Sequence, residues 1–191
     1  MAKALSKPQH VHELFAIGRN AGMQSLCSMA DISMSDHAAI AAYALSQQIE
    51  LAVVGPDEPL VNGLADAFRS HGIPCFGPSK EAARIEGSKA FSKAFMQRHH
   101  IPTPAYRVFS DCDQAYSYLV DCELPVVVKA DGLALCKGVV IAFDRETAFK
   151  AVKQMMVDDQ FGASGKTVVI EAYASGPEVS LLVFSDGVNA K

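Results

Sequence analysis

The sequence has no basic excess, no apolar run of membrane-spanning length and no paired-cysteine motif. Its 17 Lys and Arg residues are outnumbered by 21 Asp and Glu residues, which gives a formal net charge of −4. Because binding to a nucleic-acid backbone needs a basic surface, this balance argues against a nucleic-acid-binding protein. The short apolar runs argue against a membrane protein, and the N-terminus lacks the apolar segment of a secretory signal.

The cysteines and histidines do not form a recognisable metal or disulfide pattern. Five cysteines occur, at positions 27, 75, 112, 122 and 136, and their odd number and lack of a CxxC pair favour neither a disulfide framework nor a zinc site. His99 and His100 have no Cys, Asp or Glu at ligand spacing, so they are not predicted to bind a metal. We predict no metal ligand and no catalytic residue anywhere in this chain. Reduced thiols are typical of the cytoplasm, which is the predicted location.

What the sequence does contain is an alternation of short apolar strands and amphipathic helices. In the first half, strands are predicted over residues 11–17, 51–54 and 73–76, and helices over 36–46, 59–71 and 88–98. This alternation predicts an α/β fold with a parallel sheet. A new unit begins near residue 106, with helices over 112–121 and 146–157, a flexible loop over 161–166, and strands over 125–128, 139–142, 167–171 and 178–184.

The stretch PVVVKADGLALCKGVV, residues 125–140, is the most informative part of the chain. It predicts two buried strands joined by a loop of small residues, with Lys129 before the loop and Lys137 next to Gly138 at its end. Small residues let the backbone approach phosphate oxygens and lysines supply positive charge, so the pattern suits a polyphosphate. It is neither a Walker P-loop nor a GxGxxG motif. The alternative is an ordinary β-hairpin with solvated lysines.

Three blocks, at residues 55–104, 126–140 and 168–184, together resemble the phosphoribosylamine–glycine ligases, which are ATP-grasp enzymes. They include GPDEPL, EGSKAF, VVVKADG and VVIEAY, and the resemblance extends over nearly the whole chain. It implies ATP-dependent ligation of glycine to 5-phosphoribosylamine through a glycyl phosphate, giving glycinamide ribonucleotide, ADP and phosphate in de novo purine biosynthesis. The first alternative is a non-catalytic nucleotide-binding fragment of the same fold, and the second is another ATP-grasp ligase of the same chemistry.

The resemblance also implies a set of ATP-binding residues. Lys89, Lys129 and Lys137 would contact the phosphates, and the loop from Gly132 to Gly138 would close over them. Glu171 would border the adenine, with backbone groups of Ala172, Tyr173 and residue 174 reading the base. Glu178 would bind the ribose hydroxyls, because a carboxylate accepts hydrogen bonds from hydroxyl groups well.

The sequence departs from the family pattern in ways that affect these expectations. Cys136 replaces a glycine of the phosphate loop, at a cost of about 1–2 kcal/mol if that position needs a positive φ. Ala172 replaces an acidic residue. The chain begins inside the first helix of the family pattern and stops before its second half, where the Mg²⁺ ligands are expected. We therefore expect a truncated chain that is inactive alone.

The resulting domain prediction has four parts. Residues 1–84 form an N-terminal α/β domain with an incomplete parallel sheet that lacks its first strand, and residues 85–107 form a linker helix segment. Residues 108–171 form an α+β ATP-grasp lid subdomain, and residues 172–191 begin a second ATP-grasp subdomain. The expected partners are ATP, glycine and 5-phosphoribosylamine, with neither nucleic acid nor membrane. Exposed sheet edges predict self-association.

Overall fold

The computed structural model describes residues 1–134 and 137–191. The strands are β1 (Phe15–Ile17), β2 (Ser28–Ala30), β3 (Ala52–Val53), β4 (Cys75–Phe76), β5 (Tyr106–Phe109), β6 (Val126–Ala130), β7 (Val139–Ala142) and β8 (Val168–Ala172). The helices are α1 (Ala2–Leu5), α2 (His37–Ser46), α3 (Asp57–Asn62), α4 (Leu64–Ser70), α5 (Lys80–Gly87), α6 (Lys89–Arg98), α7 (Cys112–Asp121) and α8 (Arg145–Val152). A π-helical turn, Lys153–Val157, continues α8, and 3₁₀ turns cover Ala21–Met23 and Gly162–Gly165.

The chain divides into two compact units, which are described separately. Unit 1 contains Met1–Ile101 and the stretch that begins at Asp131, and unit 2 contains Pro102–Ala130 and Lys137–Lys191. The domain boundaries predicted at residues 84, 107 and 171 stay predictions. Among the described residues, no helix combines the length and the apolar character needed to cross a membrane.

Unit 1 has the predicted parallel pairing, but its strands form two separate pairs. Strand β1 pairs with β2, and β3 pairs with β4, both in parallel register. The core consists of side chains that come mainly from α2 and α4 and from β3 and its neighbours: Ile40, Ala44, Ala52, Val54, Leu64, Phe68 and Ile73. The helix predicted over 59–71 is divided into α3 and α4, because Gly63 adopts a φ of 96° and ends α3.

Unit 2 is built on a four-stranded antiparallel sheet with the order β5-β8-β6-β7. One face carries side chains of very low exposure, Val126, Val128, Ala130, Ala142, Val168 and Ile170. Helices α7 and α8 contact strands of this sheet and contribute equally buried residues such as Leu119, Ala148 and Val152. We therefore place the helices on this face, which leaves the opposite face to be considered as a site.

Side-chain caps explain where most of the longer helices begin. The carboxylate of Asp36 accepts a hydrogen bond from the backbone N–H of Ala39 at 3.0 Å. Ser79, Ser88, Asp111 and Asp144 cap α5, α6, α7 and α8 in the same way. These caps satisfy backbone donors that the first turn of a helix leaves without partners.

Several element predictions are corrected by the structure. The strands predicted over 51–54 and 73–76 are reduced to two residues each, Ala52–Val53 and Cys75–Phe76. The strand predicted over 11–17 is shorter, Phe15–Ile17, and the loop predicted over 161–166 contains the 3₁₀ turn Gly162–Gly165. The strand predicted over 178–184 does not form: in the described residues after Ala172 the chain is irregular, apart from a bridge between Ser185 and Ala190. A β-strand needs a partner to satisfy its backbone groups, and this segment has no ladder with β8 or its neighbours.

Candidate functional site

Lys89 lies at the start of α6, within a hydrogen-bonded cluster of unit 1. The cluster joins the segment 88–90 to the residues that follow β6. The backbone N–H of Lys89 donates to the Asp131 carbonyl at 3.0 Å, and its ammonium Nζ donates to the Gly132 carbonyl at 3.0 Å. The Asp131 carboxylate accepts from Ser88 Oγ at 3.0 and 3.1 Å and from the Ala90 N–H at 2.6 Å. The structure therefore brings two predicted site residues, Lys89 and Gly132, together.

The second cluster lies on the face of the four-stranded sheet opposite to the helices, which we call the Lys129 face. Its residues are Tyr106 and Val108 of β5, Val127 and Lys129 of β6, Val139 and Ile141 of β7, and Val169 and Glu171 of β8. The strand register places them on one side, because Val127 lies opposite both Ile141 and Glu171, and Lys129 lies opposite both Val139 and Val169. Apolar side chains thus surround two charged ones.

Lys129 and Glu171 form an ion pair on this face. The Lys129 Nζ contacts Glu171 Oε1, with the Lys129 side chain 25% exposed and that of Glu171 7% exposed. The two residues are diagonal neighbours on β6 and β8, within reach of a long side chain. The edge strand β7 adds apolar surface that water reaches, since Val139 is 42% and Ile141 46% exposed.

This arrangement combines the two chemical features that a nucleotide requires. A flat apolar group such as a purine can pack on Val139 and Ile141, since small-molecule sites are mostly apolar with a few placed polar groups. The Lys129 ammonium supplies a positive charge at the same face, and phosphate oxygens bind lysine through charge-assisted hydrogen bonds.

The strand end that follows Glu171 is already hydrogen-bonded in unit 2. The N–H of Ala172 donates to the Ala105 carbonyl at 2.8 Å, and the N–H of Tyr173 donates to the Pro125 carbonyl at 3.3 Å. An adenine bound next to Ala172 and Tyr173 would therefore have to form hydrogen bonds with groups other than these two backbone N–H donors. The Tyr173 ring lies 5.7 Å from that of Phe143, measured between centroids.

Glu178, Lys137 and Gly138 lie outside the two clusters described above. Glu178 is exposed and lies in the irregular stretch six residues after β8, outside the sheet. Lys137 is exposed, whereas Gly138 is buried and its carbonyl accepts a hydrogen bond from Ala130 N–H at 2.8 Å. Leu135 and Cys136 lie outside the described residues, so the predicted effect of Cys136 on the phosphate loop stays a prediction.

A metal site is not evident in the described part of the chain. Within residues 1–134 and 137–191, no three His, Cys, Asp or Glu side chains are grouped as metal ligands. We therefore assign no Mg²⁺ ligand to these residues.

Sequence reasoning missed the residues that support the charged ones. Asp131 lies in the quoted VVVKADG block, directly after a strand and next to a glycine, but its partners Ser88 and Ala90 are more than 40 residues away in sequence. The apolar members of the Lys129 face were recognised as strand residues only. The two-residue period of a strand was the available signal, because it places Val139 and Ile141 on the same side of β7.

Comparison with known proteins covers the whole chain. Residues 1–86 match the family model described as the N domain of phosphoribosylglycinamide synthetase. Residues 87–191 match the model described as the ATP-grasp (A) domain of the same protein. The two matches meet between residues 86 and 87, at the C-terminal end of α5.

Individual relatives agree with these matches. The chain is 44% identical over 189 residues to a phosphoribosylamine–glycine ligase of Vibrio vulnificus, which covers 98% of this chain and 44% of the relative. It is 44% identical over 190 residues to the human trifunctional purine biosynthetic protein adenosine-3, covering 98% of this chain and 19% of the relative. The crystal structure of a phosphoribosylamine–glycine ligase from Thermotoga maritima superposes with a TM-score of 0.79 at 25% identity, over 99% of this chain and 45% of the other. The chain thus spans less than half the length of these relatives.

Proposed function

Because the chain belongs to the phosphoribosylglycinamide synthetase family, an ATP-grasp family, we propose that it supplies ATP-binding residues of a phosphoribosylamine–glycine ligase. In the proposed reaction, an oxygen of the glycine carboxylate attacks the γ-phosphorus of ATP, which gives glycyl phosphate and ADP. The amine of 5-phosphoribosylamine then attacks the acyl carbon, and inorganic phosphate leaves. The product is glycinamide ribonucleotide, an intermediate of purine biosynthesis.

The observation that carries this proposal is the Lys129 face. An ion-paired lysine lies among apolar side chains there, on the sheet face opposite to the helices. In phosphoryl transfer, most of the catalysis is positioning and charge stabilisation, so fixed lysines are the groups that the reaction needs. The Glu171 carboxylate holds the Lys129 ammonium in place before a phosphate arrives.

The other predicted residues enter the proposal with defined roles. Lys89 and Lys137 contact phosphate oxygens, and Gly132 and Gly138 allow the backbone to approach them closely. Ala172 and Tyr173 border the adenine, and Glu178 accepts hydrogen bonds from the ribose hydroxyls. ATP carries Mg²⁺ in such reactions, and residues 1–134 and 137–191 hold no group of three side chains that fits a site for this ion.

Self-association through the sheet edges is also proposed. Strands β5 and β7 are the edges of the four-stranded sheet, and β7 has two apolar side chains that are more than a third exposed. Unprotected apolar edges pair readily with other strands. Sedimentation velocity over a range of concentrations tests this proposal, which a strictly monomeric chain would contradict.

The cytoplasmic location stays a prediction.

Calorimetric titration with ATP, with and without Mg²⁺, tests the nucleotide proposal. The wild type is expected to bind ATP saturably. The affinity of Lys129→Met for ATP is expected to be lower by about tenfold or more, because a charge-assisted phosphate contact is lost. Lys150→Met is the matched control, since Lys150 is an exposed lysine of α8, outside the Lys129 face. Equal affinities of the two variants, or no binding by the wild type, would contradict the proposal.

Two further measurements refine the outcome. Binding by Cys136→Gly but not by the wild type would contradict the proposal for this chain and would mean that Cys136 obstructs the phosphate loop. ADP formation that depends on both glycine and 5-phosphoribosylamine distinguishes a ligase from a module that binds nucleotide without turnover.

A further inference from the structure

We propose that Asp131 is the positioning residue of Lys89: it fixes the lysine and the first glycine of the loop as one rigid group. This proposal rests on the phosphate-binding role proposed above for Lys89. It extends that role to a carboxylate that would not itself touch the nucleotide.

The contacts of Asp131 hold three consecutive residues. Its Oδ1 accepts from the Ala90 N–H at 2.6 Å, both carboxylate oxygens accept from Ser88 Oγ, and its carbonyl accepts from the Lys89 N–H at 3.0 Å. Contacts through both carboxylate oxygens and the main chain fix the orientation of Asp131 as well as its position.

These contacts are additional to an ordinary helix cap. Ser88 already caps α6, because its Oγ accepts from the Phe91 N–H at 3.1 Å. Asp131 satisfies another donor of the same first turn, that of Ala90, from a position 41 residues away in sequence. The local sequence around α6 therefore completes its own cap, and the carboxylate serves to attach a distant loop to it.

The consequence for Lys89 is that both ends of its side chain are held by adjacent residues. Its backbone N–H is bound to Asp131 and its ammonium to the Gly132 carbonyl at 3.0 Å. A lysine side chain is flexible when free, and restraining it in advance reduces the entropy lost when its ammonium binds an anion. Loss of the Asp131 carboxylate removes the hydrogen bonds to Ser88 and Ala90 but keeps those of the Lys89 N–H and ammonium, so α6 is held less firmly and the distance between Lys89 and Gly132 can vary more.

A double-mutant cycle on ligand affinity tests the coupling. ATP and adenosine are titrated into wild type, Asp131→Ala, Asp131→Asn, Lys89→Met and Asp131→Ala/Lys89→Met. We expect Asp131→Ala to weaken ATP binding about tenfold and adenosine binding less than twofold, since only ATP has phosphates. The negative charge itself is not required for positioning, so Asp131→Asn is expected to retain most of the affinity, because the amide oxygen can accept the same hydrogen bonds.

In the Lys89→Met background, Asp131→Ala is expected to change ATP affinity less than twofold. Fully additive losses, or equal losses for ATP and adenosine, would overturn the positioning role. The control is Asp111→Ala, which removes a carboxylate that caps α7 by accepting from the Gln114 N–H at 2.8 Å. It removes a comparable helix cap and is expected to leave both affinities unchanged.

A measurement without ligand separates this inference from the proposed function. The folded variants are acetylated briefly with an N-hydroxysuccinimide ester, and labelling of each lysine is followed by peptide mass spectrometry. Labelling of Lys89 is expected to rise several-fold in Asp131→Ala but not in Asp111→Ala, with Lys150 as the internal reference. An unchanged Lys89 rate overturns the positioning role whether or not ATP binds. A raised rate with no ATP binding by the wild type supports the positioning and refutes the nucleotide function.

Discussion

Removal of the Lys129 ammonium should destabilise unit 2 more than neutralisation of its partner Glu171. The Glu171 side chain is 7% exposed and that of Lys129 25% exposed. In Lys129→Met the carboxylate stays buried and loses its contact with the Lys129 ammonium, and breaking a fully buried pair in this way costs roughly 3–5 kcal/mol. Because the ammonium is partly exposed, we expect the lower end of that range, about 3 kcal/mol.

Glu171→Gln leaves the Lys129 ammonium without its carboxylate, and the loss of unfolding free energy is smaller. The remaining ammonium can turn towards water, so we expect a loss of about 1 kcal/mol. The double variant, with neither charge, should lose much less than the sum of the two single variants, and the expected coupling is about 2 kcal/mol. For a chain of this size, the Lys129→Met loss corresponds to a fall in Tm of roughly 6–12 °C.

Urea unfolding followed by tyrosine fluorescence is the appropriate assay. The chain has no tryptophan, and four of its five tyrosines lie in unit 2, at positions 106, 116, 118 and 173. The signal therefore reports mainly the unit that contains the ion pair. Lys150→Met, an exposed lysine, should change the unfolding free energy by less than about 0.5 kcal/mol. Additive single losses, or a larger loss for Glu171→Gln than for Lys129→Met, would refute the reasoning.

Two further predictions concern the supporting structure. Hydrogen bonds from the Thr147 N–H and hydroxyl lower the pKa of the Asp144 carboxyl below its ordinary value of 3.8. The stability they contribute is thus present above pH 3.8 and lost as pH falls through the lowered pKa, so the Tm difference between wild type and Asp144→Ala should narrow in acid; a constant difference would contradict this. A Cβ at Gly165 would lie 2.4 Å from the Met155 carbonyl oxygen, and Gly165→Ala should cost about 3 kcal/mol in urea unfolding. Gly162→Ala, at a φ of 53° with no atom near the added carbon, should cost only about 1 kcal/mol, and equal losses would contradict the steric argument.

Elements with strong local signals were predicted closely. The helix over 112–121 and the strand over 139–142 have the predicted bounds, and α2 and α6 begin after the cap residues Asp36 and Ser88. Caps, turns and apolar alternation act over a few residues, so they can be recognised from sequence alone. The family fold was also predicted, because the sequence blocks typical of the family occur in the family order along the chain.

The strand predicted over 178–184 shows where local signals fail. Its apolar composition favours a strand, yet Leu181 and Leu182 are 87% and 88% exposed, and no ladder forms in the described chain after Ala172. A segment with high β-propensity forms a strand only when another strand supplies hydrogen bonds, and the sequence of the segment does not show whether such a partner exists. The division of the parallel strands of unit 1 into two pairs has the same origin, since pairing depends on neighbours distant in sequence.

The candidate site illustrates the same limit at the level of single residues. The loop pattern identified Lys129, and the family resemblance identified Lys89 and Glu171. Neither could pair Lys129 with Glu171, since their contact depends on the register of two strands that are not consecutive in the chain. Asp131 was not recognised either. Its carboxylate accepts a hydrogen bond from the backbone N–H of Ala90, and almost any residue type can supply such a donor, so the sequence around Ala90 does not indicate the contact. Residues that hold charged groups in place are therefore the part of a site that the structure adds to the sequence, and they are the ones at which variants distinguish positioning from contact.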